Sequence, residues 1–295
     1  MKVHPFIEAE KVAGNSVNSA CRLLEVSRSA FYARTSNPPC ARAVTDAEIL
    51  GEIRAIHAES QGTYGSPRIH QELRHREITC SRRRVARLMR GAGLEGRCKR
   101  RFRKTTTPDP AAELARDLVA REFTPSGEIN RRYVGDITYI ATWQGWAYLA
   151  TVIDLASRRV VGWALADHMR TELVEEALTS AFINRRPPVG VIFHTDRGSQ
   201  YTSRNFADLA RANGVQLSVG RTGECWDNAV AESFFATIKR ELIETRPWPT
   251  RAGLHRAIFD YIEGWFNTRR LHSSLGYLSP ATYEALHCNA VRQAA

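Results

Sequence analysis

The chain has 295 residues, 43% of them hydrophobic and 25% charged, a size that predicts two or three domains with at least one substantial core. It has no long apolar run, low-complexity tract or repeat at a fixed period, which points away from a membrane-spanning, disordered or solenoid protein. Lys and Arg outnumber Asp and Glu by 42 to 31, giving a net charge of +11 and a pI near 9.7, so a polyanionic partner is expected, with a merely solubilising surface as the plainer reading.

Met1 to Glu10 lacks the basic-then-apolar order of a secretory signal, so the cytoplasm is the expected compartment. Six cysteines (Cys21, Cys40, Cys80, Cys98, Cys225, Cys288) are scattered without metal-ligand spacing, so neither a zinc site nor a disulfide framework is expected.

Residues 17–34 place Ala20, Leu23 and Leu24 before a break at Val26-Ser27, then Ala30, Phe31 and Tyr32. This predicts a helix, a tight turn and a second helix capped by Ser27, either a plain helical hairpin or a helix-turn-helix. In the second case Arg28 and Ser29 stand where a recognition helix reaches base edges. Asn37-Pro38-Pro39 ends this unit, taken as residues 1–40.

A second helical unit is expected over residues 41–98. Thr45 to Glu59 carries Ile49, Ile53 and Ile56 at helical spacing, with Thr45 and Glu48 spaced as a capping box. After the Gly62 to Pro67 turn come helices over Arg68 to Arg76 and Ser81 to Gly91. The last has Val85, Leu88 and Met89 on one stripe and Arg82, Arg83, Arg84, Arg87 and Arg90 elsewhere, which reads as a DNA-groove or backbone binder, or else as a solvated structural helix. Residues 99–124 form a basic linker, Lys99 to Lys104 and two prolines, followed by a connecting helix over Ala111 to Phe123.

From residue 125 to 285 the pattern becomes strand-rich. Tyr133 to Thr142, Trp146 to Leu155 and Val160 to Ala166 read as a three-stranded meander with turns at Gln144-Gly145 and Ser157-Arg158. Then follow helix Glu172 to Asn184, strand Val189 to His194, helix Ser203 to Asn213, strand Val215 to Val219, and helices over Asn228 to Glu244 and Thr250 to Asn267, with residues 286–295 as a tail. That order is the ribonuclease H order. It predicts an α/β core, a mixed five-stranded sheet with flanking helices and with the first and fourth strands side by side, preceded by all-α helix-turn-helix units.

In such a fold Asp136, in Tyr-Val-Gly-Asp-Ile-Thr-Tyr-Ile, lies on the first strand and Asp196, in His-Thr-Asp-Arg-Gly-Ser-Gln-Tyr, just beyond the C-terminal end of the fourth, so their carboxylates converge. Glu232, in Trp-Asp-Asn-Ala-Val-Ala-Glu-Ser-Phe-Phe, comes from the following helix. Three carboxylates suffice to hold two magnesium ions for an in-line displacement at phosphorus. On the same helix Glu232 and Lys239 lie about 20° apart with Asn228 nearby, while Val230, Phe234 and Ile238 form a separate apolar stripe. Lys239 and Asn228 thus become DNA-contact candidates. Each acid taken singly has a plain reading as a turn or surface residue; together, in this order, they read as one site.

These motifs, with Cys-Arg-Leu-Leu-Glu-Val-Ser-Arg-Ser-Ala-Phe-Tyr, Tyr-Gly-Ser-Pro-Arg-Ile, Arg-Val-Ala-Arg-Leu-Met and Phe-Asn-Thr-Arg-Arg-Leu-His-Ser-Ser-Leu-Gly-Tyr-Leu-Ser-Pro, resemble the second-frame product of insertion-sequence transposases of the IS-three family over nearly the whole chain. The core of that family is similar to retroviral integrases, and 35 residues separate Asp196 from Glu232 (232 − 196 − 1 = 35), as in those enzymes. One departure is Tyr133, where the family usually has tryptophan; an aromatic ring is kept, so packing is expected to survive.

The resemblance implies a DDE-type enzyme with Asp136, Asp196 and Glu232 as catalytic and metal-binding residues and two magnesium ions, manganese being able to substitute. It implies cleavage at the element's ends followed by strand transfer, with Lys239, Arg270 and His272 on the DNA backbone. The expected partners are the terminal inverted repeats and target DNA, further copies of the chain in a synaptic complex, and an upstream-frame product, free or fused; no membrane is expected. The expected location is the bacterial cytoplasm, on the nucleoid. The competing readings are a non-catalytic repressor of the element and a structure-selective nuclease on the same fold.

Overall fold

The computed structural model describes residues 3–36, 40–97, 128–196, 198–219 and 229–294. The expected linker and connecting helix of residues 99–124, the break at Asn37 to Pro39, and Asn228 lie outside the described residues.

The first helical unit has three helices, α1 (Val3–Val12), α2 (Val17–Leu23) and α3 (Arg28–Ser36). The first was not expected from periodicity. Pro5 falls within its first turn, where the missing N–H would have had no helical partner in any case. Ile7, Cys21 and Phe31 form the small core, whereas Leu23, expected on the apolar stripe, is 82% exposed. Ser27 caps α3 by accepting from the Ala30 amide at 3.4 Å.

The second unit packs α4 (Ala41–Glu59), α5 (Ser66–His75) and α6 (Arg82–Gly91) around Ile49, Ile53, Ile56, Ile69, Leu73 and Val85. The capping box is not formed. The helix begins at Ala41, so Thr45 lies inside it and its hydroxyl donates back to the Ala41 carbonyl at 2.9 Å. Ser81 does cap α6, accepting from the Arg84 amide at 3.2 Å.

The core sheet has strands β1 (Arg132–Thr142), β2 (Gly145–Asp154), β3 (Val160–Ala166), β4 (Ile192–Thr195) and β5 (Gln216–Val219) in the order β3-β2-β1-β4-β5. The meander is antiparallel, and β1 pairs in parallel with β4, so the first and fourth strands are neighbours as expected. Because successive side chains alternate, Val134 and Ile140 face one side and Tyr133 and Ile137 the other. Helices α9 (Ala229–Glu241) and α10 (Arg251–Phe259) cover the first face; α7 (Thr171–Arg185) and α8 (Arg204–Ala212) cover the second. Gly135 is required where it stands, since a Cβ there would run into the Phe193 ring on β4. Tyr133 is fully buried with its hydroxyl donating to Asn130 Oδ1 at 2.9 Å, so the packing expected of its ring is present.

The helix expected to run to Asn267 changes pitch instead. Residues Asp260–Phe266 form a π-helical segment, after which the Asn267 side chain bonds both the amide and the carbonyl of Val160 on the edge strand β3. A final helix, α11 (Pro280–Ala294), runs through the boundary expected at residue 286. Glu284 anchors it to Arg159 at 2.8 Å and to Arg185 at 2.7 Å.

The second helical unit docks on this C-terminal region. Tyr64 accepts from the Leu271 amide at 2.8 Å and Arg68 donates to the Leu271 carbonyl at 2.9 Å, with the Leu271 side chain inside the helical unit's own core. No helix of the described residues is long and apolar enough to cross a membrane.

Candidate active site

Asp136 stands at the middle of β1, on the sheet face that α9 covers. The parallel register pairs Val134 with His194, so two residues further on Asp136 and Asp196 stand level on adjacent strands, Asp196 just past the end of β4. Asp196 Oδ1 accepts from the Gly198 amide at 3.0 Å, a local turn that fixes the carboxylate at the strand end. Glu232 lies in the first turn of α9, where a carboxylate suits the helix dipole. Ala231, Phe234, Phe235 and Ile238 of that helix are buried against the sheet, while Glu232 is exposed.

The electrostatics tie these groups together. Burial, and then the negative charges of Asp196 and Glu232, push the Asp136 carboxyl up to about 7, against the Ile137 amide bond and the positive charge of Lys239, which favour ionisation. Partial desolvation at the foot of α9 raises the Glu232 carboxyl as well, although the residue is largely exposed. Among the described residues, no three His, Cys, Asp or Glu side chains already stand close enough together to hold a metal ion.

Two aromatic residues belong to this neighbourhood that sequence reasoning did not assign. Tyr201 is buried against Phe193 and Phe206, and its hydroxyl is pushed far up by burial and by the charges of Asp136 and Asp196, so it lies within their field. Its only signal was its place five residues after Asp196. Tyr139, three residues beyond Asp136, sits with its ring centroid 5.5 Å from Lys239 Nζ.

The expected DNA contacts divide. Arg28 and Ser29 are exposed at the start of α3, and Arg82 and Arg83 are exposed on α6. Arg84 and Arg87 bond the two oxygens of Asp46, each at 2.7 Å, so they tie α6 to α4. Arg270 is corrected from a backbone contact to a structural cation: it is buried and grips Glu241. His272 is corrected likewise, buried edge-on against Phe266, where burial and neighbouring arginines drive its ring far below the usual histidine range. Both line the wall of a cleft of about 600 Å³ between the helical unit and the core, without presenting a free charge to a surface groove.

The chain matches the integrase core domain family over residues 128–225 and again over 213–280, and the HTH-like domain family over residues 45–102. Among solved structures, the magnesium-bound catalytic core of HTLV-2 integrase aligns with a TM-score of 0.38 at 17% identity, covering 50% of this chain and 92% of that one. The transposase of insertion sequence element IS904 from Lactococcus lactis is 40% identical over 238 residues, covering 80% of this chain and 94% of that protein. The chain is also 36% identical over 285 residues to the transposase InsF of insertion sequence IS3A from Escherichia coli K12, covering 95% of this chain and 97% of that protein. With such relatives matched over nearly its whole length, the chain belongs to the IS-three family of insertion-sequence transposases, DNA transposases with an integrase-type core.

Proposed function

We propose that Asp136, Asp196 and Glu232 hold two magnesium ions, for which manganese can substitute, and that Lys239 holds a DNA phosphate beside them. The observation that carries this reading is the negative charge pooled around Asp136, which burial and two further acids hold at the edge of ionisation. Three carboxylates are the hard oxygen donors such ions prefer, and their mutual repulsion is what a divalent cation removes. When bound, the ions supply Lewis-acid activation of the attacking oxygen and stabilisation of the leaving one.

The chain's own contribution is positional and electrostatic. Lys239, two turns along α9 from Glu232, neutralises a phosphate oxygen and orients the strand for in-line attack. In the first reaction a water oxygen bonds to phosphorus as the P–O3′ bond at the element's end breaks. This leaves a 3′ hydroxyl on the element and a 5′ phosphate on the flank. In the second, that hydroxyl oxygen bonds to a target phosphorus as the target's P–O3′ bond breaks, and the departing oxygen takes up a proton. No covalent protein intermediate is needed.

In this reading Arg28, Ser29, Arg82 and Arg83 help to locate the terminal inverted repeats, and Asn228 is a further DNA contact. Two DNA ends are held by more than one copy of the chain, with the upstream-frame product joining as a separate or fused partner, in the cytoplasm on the nucleoid. A strand-joining assay with magnesium and labelled element ends tests the core of this reading. Native protein should join, while Glu232→Gln should bind the same DNA without joining. Joining by the variant at the native rate would remove Glu232 from the chemistry.

A further inference from the structure

Beyond Asp136, β1 runs six residues further, to Thr142, and turns into β2, so this hairpin extends past the point where β4 stops pairing. Its face is aromatic and bare. Tyr139 is 61% exposed and Trp146 51% exposed, and the two rings meet edge to face at 5.2 Å as a diagonal cross-strand pair. Both lie on the face that buries Ile137 and Ala150 further along the sheet, beyond the cover of α7 and α8.

The hairpin is held firmly in this position. The Trp143 amide donates to the Trp248 carbonyl at 3.0 Å, the Arg251 amide to Gln144 Oε1 at 2.9 Å, and Arg251 Nε to the Trp146 carbonyl at 3.2 Å. Two large rings are thus presented to solvent on a backbone braced from behind, an arrangement that lowers the ordering cost of any ligand stacked on them. Lys239 stands over one edge of this surface and within the field of Asp136, so a single cation links the aromatic surface to the carboxylates.

We propose that Tyr139 and Trp146 form a stacking platform for unpaired nucleobases at the DNA end being processed. Aromatic rings beside a cation are what single-stranded nucleic acid binds, the bases on the rings and the phosphate on the charge. A second copy of the chain fits less well. The exposed parts of the two rings could bury roughly 150–300 Å², against about 800 Å² per partner in a stable complex, and lysine is depleted at the core of such interfaces. Along the strand, Tyr139 lies about 10 Å from Asp136.

Binding of the full chain to two labelled DNA ends in the presence of a chelator tests this without depending on chemistry. One end is a blunt duplex; the other is the same duplex with its last few pairs mismatched. Native protein should favour the frayed end, and 5-iodouracil in that stretch should crosslink to Tyr139 or Trp146. The double change Tyr139→Ala with Trp146→Ala should bind the blunt duplex as before and bind the frayed end roughly 5- to 100-fold more weakly than native, while Tyr139→Phe with Trp146→Phe keeps the preference. The blunt duplex controls for DNA binding itself. An alanine variant that retains the preference, or crosslinks that map elsewhere, would overturn the platform. So would an alanine variant that falls from multimer to monomer in sedimentation, which would make a second copy the occupant.

Discussion

Arg270 grips Glu241 through two atoms, Nε at 2.9 Å and a terminal nitrogen at 2.7 Å, with both side chains buried and the Tyr261 hydroxyl donating to the same carboxylate at 2.8 Å. The pair joins α9, which carries Glu232 and Lys239, to the segment that receives the helical unit. Removing one partner leaves the other charge buried and unpaired, so Glu241→Gln or Arg270→Met should each cost about 3–5 kcal/mol in urea unfolding. The double change to apolar residues of similar size should recover most of that loss. Burial alone would raise the Glu241 carboxyl, but the hydrogen bonds and charge of Arg270 outweigh it and hold it below its ordinary value of 4.5. A carboxyl depressed on folding stabilises above its unfolded value and loses that contribution as pH falls through the folded one. Native protein should therefore weaken in acid below about 4.5 more steeply than Glu241→Gln, a difference that acid titrations of unfolding would register.

Asp136 has the opposite sign. Its carboxyl moves from 3.8 to about 7 on folding, so the folded protein holds that proton more tightly, and stability falls as pH rises between those values. In the presence of a chelator, Asp136→Asn should raise the unfolding free energy at pH 8 by about 4 kcal/mol, while leaving it nearly unchanged near pH 4. Magnesium should raise the thermal midpoint of the native protein and do little for the variant. A variant less stable than native at pH 8 would mean that Asp136 supports the fold without the strain of a charged site.

The parts of this architecture that follow from local pattern were legible in the sequence. The alternation of Tyr133 to Thr142 and the run from Val160 to Ala166 gave strands, and the order of elements placed β1 beside β4, hence Asp136 level with Asp196. What was not legible depends on distant partners. Arg270 and His272 sit in a basic, His-containing stretch that looks like a phosphate contact until Glu241, 29 residues away, is seen to take the arginine. Arg84 and Arg87 belong to an arginine-rich helix, but Asp46, on another helix, pairs with both. Tyr139 alternates correctly for a covered sheet face, and nothing local says that α7 and α8 stop short of it. The π-helical segment was hidden because its apolar residues, Tyr261, Ile262 and Phe266, also fit an ordinary helix.

The split among the α6 arginines leads to different outcomes for neighbouring positions. Arg82 and Arg83 are exposed, so Arg82→Ala with Arg83→Ala should weaken DNA binding evenly across sequences. The slope of log affinity against log salt should fall by about 1 for each phosphate that an arginine no longer neutralises. Arg84→Ala instead should lower the thermal midpoint, because it removes one of the two bonds on Asp46, and should change the salt slope little. Salt titrations of native protein and both variants on one DNA fragment separate the two roles, and equal slopes throughout would show that α6 does not face the DNA.

Tyr64 shares the coupling between the helical unit and the core with Arg68 and the Leu271 side chain. Its hydroxyl, pushed up to about 12 chiefly by burial, accepts the Leu271 amide, and the Trp265 ring packs at 5.5 Å. Tyr64→Phe keeps the ring and deletes only the acceptor, leaving a buried N–H without its partner at a cost of about 1–3 kcal/mol. That cost should appear as faster hydrogen exchange at the Leu271 amide and as a lower urea midpoint. The surfaces that meet DNA are untouched, so affinity for an element end should stay near native. Strand joining should fall, because the DNA held by the helical unit would no longer be delivered to Asp136 and Glu232 in one fixed position. Unchanged joining beside fast Leu271 exchange would mean that the two units act on DNA independently and that this contact serves stability alone.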